Sequence, residues 1–77
     1  MSRQRARLRS AADLGLAVQQ ARLAEGISQT ALADRLGISQ RSISEIESGR
    51  TTIQLRRLFE LMRETGVELT AEWGDSE

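Results

Sequence analysis

Serines 39, 42, 44 and 48 crowd one stretch of this 77-residue chain, beside Gln40, Arg41 and Glu45. A serine hydroxyl becomes a nucleophile when a neighbouring base takes its proton. The chain has no His, and its eleven cationic side chains are all arginine, so neither an imidazole nor a lysine amine can do so. The absence of Cys as well as His removes the usual zinc and copper ligands and any disulfide. The sequence therefore reads as non-enzymatic, with no metal or cofactor. What these side chains can do is recognise. Gln offers a donor and an acceptor that match adenine N6 and N7, and Arg offers two donors that match guanine O6 and N7.

The elements that must position them are short helices around a single core, which is all that 77 residues can build. Ser10, with Asp13 three residues on, has the capping-box pattern of a first helix, whose apolar face is Leu14, Ala17, Val18 and Ala21. Ser28 caps a second helix ending at Gly37, and Ser39 caps a third with Ile43 and Ile46 inward. A fourth runs from about Gln54 to Thr65, with Leu55, Leu58, Phe59 and Met62 on the face that closes the core. The segment Ser28–Ile46, "SQTALADRLGISQRSISEI", places Ala33 where two helices approach and Gly37 where the chain reverses. Leu32, Leu36, Ile38, Ile43 and Ile46 are spaced to pack both helices on the first and fourth. An ordinary helical hairpin would share that packing, but not the polar outward face.

Beyond Gly66 the period changes. Val67, Leu69, Ala71 and Trp73 alternate with Glu68, Thr70 and Glu72, the pattern of a half-buried strand. A fifth short helix is the alternative, since Leu69 and Trp73 are also four apart. A lone strand needs a partner for its backbone, and nothing else in the chain reads as β, so the strand is expected to pair with a second copy across a two-fold axis. Four segments result: a basic arm at 1–9, disordered or solvated when free, a helical domain at 10–66, a dimerisation strand at 67–73 and an acidic tail at 74–77.

The net charge is zero, yet it is unevenly placed. Arg3, Arg5, Arg7 and Arg9 open the chain without an acid among the first twelve residues, and Glu68, Glu72, Asp75 and Glu77 close it without a base. Neutrality limits indiscriminate binding to nucleic acid. The apolar stretches are too short and broken for a membrane span or a signal peptide, so a cytoplasmic protein is expected.

The residues "GISQTALADRLGISQRSISEIESGR", within roughly Leu14 to Val67, resemble the Xre/Cro family of helix-turn-helix regulators. The resemblance implies an all-α, four-helix, lambda-repressor-like domain whose third helix enters the DNA major groove. Ser39, Gln40, Arg41 and Ser44 would then contact bases, with a solvated polar face as the plainer alternative. Gln29, Thr30 and Arg50 would contact phosphates. Arg22 and Glu47 would form a largely buried ion pair between the first and third helices. Glu45, one turn beyond Arg41, would accept from cytosine or hold Arg41 in place. The basic arm would add phosphate contacts, and the acids after Gly66 would project away from DNA.

The ending "TTIQLRRLFELMRETGVELTAEW" most resembles HipB-like antitoxins, whose final strand pairs across the dimer through positions matching Val67, Leu69, Ala71 and Trp73. That resemblance implies a homodimeric repressor on an inverted-repeat operator in double-stranded DNA, associated with the bacterial nucleoid. It would also hold a HipA-like serine/threonine kinase toxin inactive. A free-standing Xre-type repressor without a toxin is the alternative. Leu16 and Leu23, opposite the inward face of the first helix, offer a modest apolar patch to such a partner.

Overall fold

A computed structural model describes residues 3–74. It contains β1 (Arg3–Leu8), α1 (Ala11–Ala24), α2 (Gln29–Leu36), α3 (Gln40–Glu47), α4 (Ile53–Thr65) and β2 (Leu69–Gly74). Each helix starts on a hydroxyl cap. Ser10, Ser28, Ser39 and Thr52 accept from the backbone N–H three residues on, satisfying one of the donors a helix start leaves orphaned. The Asp13 carboxylate, in turn, accepts from the Arg9 N–H at 2.8 Å. Gly37 and Gly66 end α2 and α4 in the left-handed region, at φ 68° and 79°, where a side chain would be strained.

The strand after Gly66 forms, and the alternative of a fifth helix does not. Its partner corrects the expectation that nothing else in the chain is β. β1 pairs antiparallel with β2 in register Arg3↔Gly74 to Leu8↔Leu69, so Arg3–Leu8 of the basic arm is an ordered strand. The physical reason is legible in "RQRARL": Arg3, Arg5 and Arg7 alternate with Gln4, Ala6 and Leu8, a period of two that presents one row to the core and one to solvent. Leu8 is 4% exposed and joins Ala17 and Phe59 in the core, with Ala6, Leu14, Leu55, Met62, Ala71 and Trp73 packed around them.

The opposite row of the sheet carries the charges. Arg3 and Arg5 both bind Glu72, at 3.3 and 2.7 Å, and Arg7 binds Glu68 at 2.7 Å. The basic start and acidic end of the sequence thus meet across strands, with Arg3, Arg5 and Arg7 on the same face of the sheet as Glu68 and Glu72. Asp75, Ser76 and Glu77 of the acidic tail lie outside the described residues.

The helices also close less completely than their spacing implies. Ala33 and Ile43 are buried, but Leu36, Ile38 and Ile46 are exposed, and so are Leu58 on α4 and Val18 on α1. The reason is placement: α1 meets α3, α2 meets α3, and α4 packs chiefly against α1 and the sheet-lined core.

Candidate nucleic-acid interface

α2 and α3 are joined by Gly37–Ser39 and held at Ala33, which is 2% exposed. An alanine there lets the two helix backbones approach. The buried side of α3 is Ile43 and Glu47. At 3.6 residues per turn, Gln40, Arg41 and Ser44 fall within an outward arc of about 100°. Gln40 and Arg41 are exposed, and Ser44 is half-buried. Ser39 sits at the cap, its hydroxyl accepting from the Ser42 N–H at 3.1 Å and lying 2.9 Å from the Ser42 hydroxyl.

Behind this face is a buried ion pair. Arg22 reaches Glu47 with two donors, Nε to Oε2 at 2.6 Å and Nη2 to Oε1 at 2.9 Å, and donates Nη1 to the Ile27 carbonyl at 2.8 Å. Their side chains are 9% and 2% exposed. The Arg22 guanidinium holds the Glu47 carboxyl below the usual range against the opposing effect of burial, and Gln29 and Gln19 assist by hydrogen bonding. The carboxylate in turn raises Arg22. α1 and α3 come this close because Gly15 has no side chain: a Cβ there would overlap the Ile46 carbonyl oxygen and lie 3.0 Å from that of Glu47.

Three links in this region escape sequence reasoning. Gln29 donates to Glu47 at 2.9 Å and accepts from the Gln40 side-chain amide, so a hydrogen-bonded chain runs from the outward face of α3 to the buried pair. Glu45 accepts from Arg41 at 3.2 Å and from Arg50 at 3.0 Å, holding two cations with one carboxylate. The first of these is an i, i+4 pair that spacing does reveal; the second depends on the turn after α3. Gly15, a glycine inside α1, marks a close backbone crossing with α3. Thr30 is exposed at the first turn of α2. Arg41 and Arg50 are 83% and 69% exposed in their side chains, so their link to Glu45 is readily exchanged for another acceptor.

Val67 and Leu69 are exposed, while Ala71 and Trp73 pack on the chain's own core. The helix-turn-helix family profile matches residues 18–71, from the middle of α1 into β2. The chain belongs to the helix-turn-helix family. It is a DNA-binding transcription regulator of Xre/Cro type. No curated protein and no solved structure gave a match. The match begins at Val18, so β1 and the start of α1, including Gly15, lie outside it. Among the described residues of this helix-turn-helix protein no helix is long and apolar enough to cross a membrane, and no cluster of potential metal ligands occurs.

Proposed function

We propose that this regulator is a homodimeric repressor that occupies an inverted repeat with α3 of each copy in the major groove. The observation that carries this reading is the outward arc of Gln40, Arg41 and Ser44 on a helix anchored from behind by the Arg22–Glu47 pair. Arg41 exchanges Glu45 for a guanine edge, and Gln40 exchanges Gln29 for adenine. Ser39 and Ser44 contribute single hydroxyl contacts. Gln29, Thr30 and Arg50 hold phosphates and set the register of the docked helix.

We place the sheet outside the DNA interface, since Glu68 and Glu72 partly neutralise its arginines. Val67, just before β2, and Leu69 on it remain available to a second copy, whereas Ala71 and Trp73 serve the fold of their own chain. We further assign the protein to the HipB-like antitoxins, acting in the cytoplasm on its own operon and holding a HipA-like kinase. The exposed Leu16 and Leu23 on α1 support a protein partner. Co-purification with a kinase encoded beside it is the expected result; recovery of the regulator alone, with the kinase fully active, contradicts the antitoxin role.

The DNA reading is tested with Arg41→Ala. Loss of about 1 to 3 kcal/mol at one base-pair position of each half-site, with other positions read normally, is expected. Unchanged affinity and sequence preference would remove Arg41 from the interface.

A further inference from the structure

The sheet ends where its two strands part. Leu8↔Leu69 is the last pair of the ladder. Beyond it, β1 continues through Arg9 to the Ser10 cap of α1, while β2 is reached from Gly66, where α4 stops. The Val67 N–H donates to the Met62 carbonyl at 3.1 Å, so this connection folds back over the last turn of α4. Between the parting chains and α4 lies a hollow of about 440 Å³, a volume within the range of small-molecule sites.

Its lining is of two kinds. Leu8 and Phe59, which are buried, and Met62, one turn on from Phe59, supply apolar surface. Arg7, Arg9 and Arg63 bring three cations to the same hollow against one acid, Glu68. That acid is engaged by Arg7 at 2.7 Å. Among the described residues neither Arg9 nor Arg63 forms an ion pair. Arg63 donates Nη1 to the Arg9 carbonyl at 3.4 Å, which ties α4 to the chain leaving β1 and uses only one of the five N–H donors of the guanidinium. Apolar surface alone would accept any oily body; two unmatched guanidinium groups beside it restrict the choice to an anion.

We propose that this hollow binds a small amphiphilic carboxylate, its aliphatic body against Leu8, Phe59 and Met62 and its head on Arg9 and Arg63. A guanidinium presents a fork of parallel N–H donors that matches both oxygens of a carboxylate, and such charge-assisted bonds are stronger than neutral ones. The flexible thioether of Met62 adapts to the shape of the body it meets. Because the ligand joins the chain after β1 to α4, and only the folded chain brings these residues together, binding raises stability. The site is independent of the DNA-reading face and of the number of copies: every residue that lines it lies on β1, on α4 or in the segments that follow them.

The test uses the full chain and three probes of equal length: decanoate, 1-decanol and decyltrimethylammonium. In calorimetric titration at millimolar ligand, decanoate should saturate a single site per chain, with the neutral and cationic probes weaker by about tenfold or more. Amide NMR shifts on adding decanoate should concentrate at Leu8, Arg9 and the stretch from Phe59 to Glu68. Arg9 and Arg63 are both exposed, so Arg9→Gln and Arg63→Gln keep the fold, as checked by circular dichroism. Each should weaken decanoate about tenfold and leave 1-decanol unchanged. Arg57→Gln, on α4 but outside the hollow, should leave decanoate binding as it is. Equal binding of decanoate and 1-decanol, or decanoate binding that survives both arginine variants, overturns the carboxylate site. So does the absence of saturable decanoate binding by the wild type. Each of these results leaves the DNA reading intact.

Discussion

The β1–β2 sheet and the α2–α3 unit set arginine beside glutamate in different places. In the sheet, three arginines face two glutamates across a rigid ladder, and every one of the three has a carboxylate within 3.3 Å. At α3, Arg41 and Arg50 compete for the single carboxylate of Glu45 and remain largely exposed. Exposed pairs contribute little to stability in either place. What differs is the setting: Arg3 and Arg5 share Glu72 across the strand ladder just as Arg41 and Arg50 share Glu45, but only the second pair stands beside the outward residues of α3. Sequence position alone therefore misleads, because the most basic segment of the chain is the one whose charge is already answered.

That contrast can be broken at the scaffold first. Glu47→Ala leaves Arg22 buried without its partner and should cost about 3 to 5 kcal/mol in urea unfolding. The same pair sets an acid limit. Because folding lowers the Glu47 pKa, its contribution is present above the unfolded value of about 4.3 and is lost as the pH falls through the folded value. The unfolding midpoint should fall across that window in the wild type and change less in Glu47→Gln. Gly15→Ala forces α1 and α3 apart and should cost about 1 to 3 kcal/mol, with DNA affinity falling in step with stability.

Smaller effects separate the two arginine populations. Glu45→Gln releases Arg41 and Arg50, and should raise affinity for all DNA sequences about twofold per pair released, measured by fluorescence anisotropy. Replacing Arg3, Arg5 and Arg7 together by Gln should leave the salt dependence of DNA binding unchanged. Were the three to meet phosphates in the wild type, the slope of log K against log salt would become shallower by about 2.7.

Much of the helical part was legible because capping and periodicity are local. Ser10, Ser28 and Ser39 mark helix starts, and Gly37 and Gly66 mark ends, by chemistry that acts within one turn. The outward set at 39–44 was legible through resemblance, with its chemistry consistent. The partner of β2 was not, since a charge run draws the eye away from its own period of two, and pairing across 60 residues of chain leaves no local trace. Exposure of Leu36, Ile46 and Leu58 was equally hidden. Spacing shows which residues share a face, and not whether the chain itself supplies the cover.

The central claim is that α3 reads DNA in a two-fold arrangement. Selection of bound duplexes from a random pool by the wild-type chain tests it most directly. The expected yield is an inverted repeat whose half-site centres lie about 34 to 36 Å apart or a multiple of it, with one conserved base pair per half-site lost for Arg41→Ala. Recovery of sequences with no shared motif, or of a motif that Arg41→Ala selects unchanged, would contradict it.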